Sequence, residues 1–302
     1  MEVLVRLLGL LVLLLAGTGL RASGVLNASR TDRLNALAYY VALPALVFVS
    51  TYTRSLVELL SGALFVGLLA VFFATAGLAW VIHRGREANE RWSVAVIQSY
   101  HSNLGYLGLP LVAATFGGDV TAIASVVLGV VSLMQIMLTV VILSTVNGAS
   151  TTVGRELSRL LKNPVLAALV AGIAVGTAGV PIPAPAATGL EYLGSLALPI
   201  ALLCVGASLR VELGDADFVA TAAIVALKLG CMPALAWVVF TGLAVEPATL
   251  TATVVMFGTP TAVSTYVFAS ELGGDEQFAS LNVFLTTLLS IGTLFILIEA
   301  VG

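Results

Sequence analysis

Charge is what this sequence has least of. Only 10% of its 302 residues are Asp, Glu, Lys or Arg, while 59% are hydrophobic; an average soluble domain is about 25% charged. That excludes a water-soluble globular protein, which could not coat so much apolar surface. The 13 basic and 16 acidic residues fall in short segments between long apolar runs, the pattern of a chain that crosses a bilayer repeatedly. There is no sustained Lys/Arg run and the net charge is −3, so no basic face exists for nucleic acid. Cysteine is nearly absent as well. Cys204 and Cys231 both lie inside apolar runs, which argues against a disulfide framework or a zinc site and leaves no metal or cofactor suggested.

What is present divides into ten apolar stretches, near residues 3–22, 34–53, 56–82, 93–116, 120–147, 164–180, 188–210, 216–243, 248–271 and 277–301. The first resembles a signal peptide in ending near small residues, but Glu2 stands where a positive flank belongs, and about 20 apolar residues suffice to span a bilayer. It reads as helix 1. A β-barrel is excluded, because barrel strands alternate over roughly 10 residues. Cytoplasmic loops carry the excess of Lys and Arg. Here Arg21, Arg30, Arg33, Arg84, Arg86, Arg91, Arg155, Arg159, Lys162 and Arg210 all follow odd-numbered helices, against Arg6 and Arg54 on the other side. Both termini are therefore expected to be extracytoplasmic, with the protein a multi-pass component of the cell membrane.

The sequence also echoes itself. Ala42-Leu43-Pro44 recurs as Ala197-Leu198-Pro199, and Gly117-Gly118-Asp119 as Gly273-Gly274-Asp275, at offsets of 155 and 156 residues. Both echoes keep their place in the helix count. The expected organisation is a five-helix repeat over 1–150, a short cytoplasmic connector over 151–163 and a second five-helix repeat over 164–302. Five is odd, so the halves enter the membrane from opposite sides, an inverted repeat of the kind used by alternating-access carriers.

Helices 4 and 9 differ from the rest in carrying polar residues and helix breakers at mid-membrane depth. Helix 4 contains Gln98-Ser99-Tyr100-His101-Ser102-Asn103-Leu104-Gly105, and helix 9 contains Gly258-Thr259-Pro260-Thr261. Backbone released from helical hydrogen bonds survives in a membrane only where protein or water encloses it. Half-helix N-termini there suit an anionic group, and Ser102, Asn103, Thr259 and Thr261 supply side chains to orient it. Each residue alone reads as helix–helix glue. As matched clusters in both halves they read as a site.

These residues resemble the auxin efflux carrier family. Asn103-Leu104-Gly105-Tyr106-Leu107-Gly108-Leu109-Pro110-Leu111 is similar to its helix 4 motif, Thr259-Pro260 with Tyr266-Val267-Phe268-Ala269 to its helix 9 crossover, Leu198-Pro199 with Val205-Gly206-Ala207-Ser208-Leu209 to helix 7, and Leu285 to Ser290 to helix 10. The resemblance implies an all-α membrane protein of ten helices in two inverted repeats, with broken helices 4 and 9 crossing at the substrate. It implies a scaffold of helices 1, 2, 6 and 7, an elevator-like movement of the others, frequent homodimers, and organic anions such as auxins, malate or malonate as cargo. By position Asn103 matches the crossover Asn, Gly105 the glycine of its motif, Pro260 the helix 9 Pro, and Gln135 a polar helix 5 residue near the site. The sequence departs from the plant pattern at Ser102, where plant carriers have Pro, at Val47, where they have Ser, and in the short Gly148–Asn163 loop.

Two ionisable residues lie within this apolar context. Lys228 is the one basic residue deep in an apolar stretch, and such residues are functional hypotheses by default. It is a candidate to neutralise an anion, to titrate, to bond carbonyls freed by a broken helix, or simply to snorkel. His101 is the other candidate for titration near neutral pH. Every Asp and Glu reads as lying in a loop or near a helix end, which argues against coupling through a buried carboxylate. The leading expectation is a secondary transporter, an efflux carrier of small organic anions. A sodium-coupled symporter of the bile-acid type and a non-transporting membrane sensor are the alternatives. An enzyme is not expected: adjacent His101 and Ser102 point about 100° apart on a helix.

Overall fold

Three prolines shape the helices before any packing is considered. Proline lacks an amide hydrogen and collides with the carbonyl four residues back, so the ladder ahead of it must widen or break. In the computed structural model, π-helical turns over Ala38–Ala42, Leu104–Gly108 and Ala226–Cys231 lead directly into α-helical segments whose second residues are Pro44, Pro110 and Pro233. A fourth proline, Pro199, follows a full break: one helix ends at Ser195 and the next begins at Ala197.

The structure describes residues 2–55, 59–85, 88–148, 154, 158, 162–208 and 217–302. Its helices are α1 (Glu2–Ala22), α2 (Ala28–Thr51), α3 (Gly62–Ile82), α4 (Asn89–Gln98), α5 (Leu104–Thr115), α6 (Gly118–Asn147), α7 (Pro164–Ala178), α8 (Ala184–Ser195), α9 (Ala197–Ser208), α10 (Phe218–Gly242), α11 (Pro247–Phe257), α12 (Ser264–Glu271) and α13 (Glu276–Val301). Among the described residues the protein is all-helical, and six spans are long and apolar enough to cross a membrane, α8 and α9 counting as one. Leu11–Ala22, α5, α7 and α11 are shorter apolar helices. Arg86, Arg155, Arg159, Leu209 and Arg210, the side chain of Arg6 and most of the 151–163 connector lie outside the described residues.

Two compact units share these elements. The first takes Met1–Gly62, Gly105–Gly129 and Leu161–Leu209. Within it α1 and α9 touch through glycines: a Cβ on Gly17 would strike the Leu203 carbonyl, and one on Gly206 the Leu14 carbonyl. That closeness lets Thr18 Oγ1 donate to the Gly206 carbonyl at 3.0 Å and Arg21 Nη1 to the Ala207 carbonyl at 2.5 Å. Gly172 and Gly194 likewise bring α7 and α8 against α2 at Thr51 and Leu46. Small residues at helix contacts are how membrane helices gain dispersion energy. The echoed Asp119 pairs with Arg54. One carboxylate departs from expectation. Glu191 is the eighth residue of the 24-residue Ala184–Ala207 span rather than near its end, and it is an exposed member of the wall of a cavity of about 300 Å³ with Leu46, Val49 and Pro199.

The second unit takes Ala63–Leu104, Val130–Leu160 and Arg210–Gly302. Its polar helix ends are capped as the sequence allows. Asp275 accepts from the Phe278 amide at 2.9 Å and pairs with Arg91 Nε at 2.9 Å, while the Arg91 guanidinium lies 5.6 Å from the Phe278 ring centre. Replacing Asp275 by Ala should lower stability by about 1 kcal/mol for the cap, plus up to about 1 kcal/mol for a partly exposed ion pair. Asp275→Asn keeps the cap, so melting temperatures in detergent should fall in the order wild type, Asn, Ala.

Candidate functional site

The site is built where two helices stop inside the second unit. α4 ends at Gln98 and α11 at Phe257, and the residues after each run irregularly. The two irregular segments hydrogen-bond to one another. Asn103 N–H donates to the Pro260 carbonyl at 2.8 Å and Ala262 N–H to the His101 carbonyl at 2.9 Å, so Ser102 and Thr261 form an antiparallel bridge. Buried backbone groups need partners, and here each break supplies them to the other. Ser102, Asn103, Thr259, Pro260 and Thr261 lie together in this geometry; all but Pro260 are among the buried polar residues, and Pro260 is buried too.

The remaining backbone groups are taken up by side chains. Gln135, on α6, accepts from Ser102 N–H at 3.0 Å through Oε1 and donates Nε2 to the Ser102 carbonyl at 3.1 Å. One amide thus satisfies both backbone groups of one residue. At the ends of the broken helices, Thr261 Oγ1 donates to the Gln98 carbonyl at 2.8 Å, and Lys228 Nζ to the Phe257 carbonyl at 2.8 Å. A hydroxyl closes one helix end and an ammonium the other, the latter at the negative pole of its helix. Thr259 Oγ1 turns back to the Met256 carbonyl at 2.8 Å.

His101 is fully enclosed by hydroxyls and an aromatic ring: Nδ1 is 2.9 Å from Thr139 Oγ1, Nε2 is 3.4 Å from Ser264 Oγ, and its ring centre is 6.0 Å from that of Phe268. The Thr139 hydroxyl also meets Tyr100 Oη at 3.1 Å. Both ring nitrogens of His101 therefore face hydroxyls. Gly105 belongs to the first unit, where an added Cβ would find only ordinary contact with Leu128 at 3.8 Å and Leu43 at 4.0 Å. Its place here is not one of tight backbone approach.

A second polar network escapes sequence reasoning. Gln98 Nε2 donates to Thr265 Oγ1 at 3.1 Å and to the Ala279 carbonyl at 2.8 Å; its Oε1 accepts from Asn282 Nδ2 at 3.0 Å, and Asn282 Oδ1 accepts from Thr221 Oγ1 at 2.8 Å. It ties α4, α12, α13 and α10 together just beside the breaks. The available signal was an amide, Asn282, inside an otherwise apolar span. Among the described residues two buried side-chain donors lack a hydrogen-bond partner, Trp92 Nε1 and Asn103 Nδ2, and Asn103, 3% exposed, is the one at the breaks. No Asp or Glu is buried among the described residues, and no cluster of three metal-ligating side chains occurs among them.

A sequence model described as "Membrane transport protein" matches residues 2–156 and 153–298. The chain belongs to this membrane transport protein family. It is the auxin efflux carrier family that the helix 4 and helix 9 motifs resemble. The chain is also 27% identical over 295 residues to an "Uncharacterized transporter" of Methanothermobacter thermautotrophicus, covering 95% of this chain and 94% of that one. It is 26% identical over 291 residues to a "Putative malonate transporter" of Rhizobium meliloti, covering 91% and 90% respectively. In this member of the membrane transport family, then, helix interruptions that meet inside one unit belong to a multi-pass transporter, and the family is not one of enzymes.

Proposed function

We propose that this chain is a secondary transporter, an efflux carrier, of small organic anions, with short carboxylates of the malonate class as cargo. Asn103 carries the proposal: a buried amide donor without an acceptor, at the meeting point of two helix breaks. A buried donor left unmade costs about 1–3 kcal/mol, and an arriving carboxylate oxygen removes that cost. Ser102, Thr259, Pro260, Thr261 and Gln135 hold the breaks in register around it, with Gly105 following on the same motif. The relative named for malonate supports the class of cargo.

The carrier is proposed to have ten membrane-crossing helices in two inverted repeats, residues 1–150 and 164–302, joined by a cytoplasmic connector at 151–163, with both termini extracytoplasmic in the cell membrane. Six span-length and four shorter apolar helices, one in each apolar stretch, support this reading. An elevator-type movement draws support from the content of the two units: the predicted helices 1, 2, 6 and 7 fall in one and nearly all of helices 3, 8, 9 and 10 in the other, while helices 4 and 5 each contribute to both. The assembly is proposed to be a homodimer.

Uptake of labelled malonate into proteoliposomes tests this directly. Saturable uptake competed by other short dicarboxylates is expected, with Asn103→Ala reducing it by about tenfold, the equivalent of one charge-assisted hydrogen bond of about 1.5 kcal/mol. Absence of flux for malonate and for every member of a carboxylate panel would remove the carrier reading.

A further inference from the structure

Lys228 is the feature that this function does not absorb. It sits on the π turn Ala226–Cys231 of α10, is fully buried, and has no acidic partner among the described residues: its ammonium donates to the Phe257 carbonyl at 2.8 Å and to Met232 Sδ at 3.5 Å. Those contacts leave one of its three donors without a partner among the described residues. A buried, unneutralised cation in a membrane protein is costly and is held only for a reason. Snorkelling is ruled out by its burial, since a snorkelling lysine carries its head group to the interface.

Its surroundings indicate that reason. The Phe257 carbonyl is the last of α11, a backbone oxygen released by the helix break and set at the negative helix pole. Carbonyls of unwound helices are the groups that coordinate inorganic cations in carriers with interrupted helices. Here the ammonium already occupies that oxygen. The sulfur it contacts is shared with the opposite break, for Ser102 Oγ approaches Met232 Sδ at 3.7 Å. Ser102 precedes Asn103, the buried amide without an acceptor. Two donors in one unit, one cationic and one neutral, therefore lack the same thing, an acceptor, and an anionic oxygen is the acceptor that would serve both most strongly.

We propose that Lys228 is the built-in cation of the substrate site: its ammonium stands on the freed Phe257 carbonyl where a dissolved sodium ion would otherwise be required, and it balances the charge of the bound carboxylate. The site then takes its anion without a co-bound inorganic cation. This rests on the carrier reading above and adds the nature of its counter-charge. Lys228 lies on this π turn four residues before Met232, and its ammonium reaches the carbonyl and the sulfur together.

Malonate-dependent thermal stabilisation of the purified full chain tests it, in sodium chloride and in choline chloride of equal ionic strength, for the wild type, Lys228→Arg and Lys228→Gln. Wild type is expected to respond at the same malonate concentrations in both salts. Lys228→Gln, whose amide fills much of the space without the charge, should need about tenfold more malonate or worse in choline, and Lys228→Arg should lie nearer the wild type. A wild-type response that needs sodium, or a Lys228→Gln response equal to that of the wild type in choline, overturns the inference while leaving an anion carrier in place. If Lys228→Gln is not monodisperse, the wild-type salt comparison decides alone. No wild-type response to malonate or to any of a carboxylate panel removes the carrier reading, and this inference with it.

Discussion

Replacing Gln135 with alanine is expected to lower stability by about 2 kcal/mol or more and to abolish most transport. The side chain answers both backbone groups of Ser102, accepting from its N–H and donating to its carbonyl. Its loss strands two buried polar groups in a region where Ser102 is 1% exposed, each at about 1–3 kcal/mol. The damage is also geometric. Ser102 is half of the bridge to Thr261, and the adjacent Asn103 N–H completes the pairing with Pro260. Gln135→Glu separates the two roles: an ionised carboxylate can accept from Ser102 N–H but cannot donate to its carbonyl, and it adds an anion where the proposed cargo is anionic. Burying that charge against the Ser102 carbonyl is itself costly, so Glu should melt no higher than Ala in detergent and transport malonate no better. A Gln135→Ala protein with wild-type melting and uptake would show that the breaks hold themselves.

How much of this was legible beforehand depends on the range of each interaction. Helix positions were legible because apolar length and charge placement are local signals, but the widened ladders ahead of Pro44, Pro110 and Pro233 were not read. The break before Pro199 was not read, although the same clash produces it. The glycines of Gly273-Gly274-Asp275 acquire a cause of their own: Gly273 adopts φ +73°, a Cβ on Gly274 would lie 2.8 Å from Val94, and Asp275 caps α13, whereas Gly117 and Gly118 have neither a positive φ nor a neighbour within 4 Å of an added Cβ. Bonding a carbonyl freed at a break was one of four readings open for Lys228, and that bond is present. Its particular carbonyl could not be named, since Phe257 lies 29 residues away on another helix. The Gln98–Asn282–Thr221 network stayed hidden for the same reason: its partners are up to 184 residues apart, and no spacing rule links four different helices. Gln135 was reached through family resemblance alone. Nothing in the apolar run around it says which backbone it will meet.

The largest loss of folding is expected from Gly206→Leu. α1 and α9 meet by reciprocal close approach, Gly17 under the Leu203 carbonyl and Gly206 under the Leu14 carbonyl. In both cases the obstacle is backbone, which cannot rotate aside as a side chain can. Inserting a leucine there must separate the helices and break the bonds that depend on their distance, Thr18 to the Gly206 carbonyl and Arg21 to the Ala207 carbonyl. Overpacking alone costs about 1–3 kcal/mol, and the two hydrogen bonds add about 1 kcal/mol or more each. That is a large part of the roughly 5–15 kcal/mol that holds a typical protein together. The variant should therefore give little monodisperse material in size-exclusion chromatography, and Gly17→Leu should behave alike. Gly19→Leu is the control, because nothing lies within 4 Å of a Cβ at that position on the same helix. Equal yield and melting temperature for Gly206→Leu and Gly19→Leu would mean that α1 does not depend on this contact, and that the scaffold role given to it rests on its other neighbours.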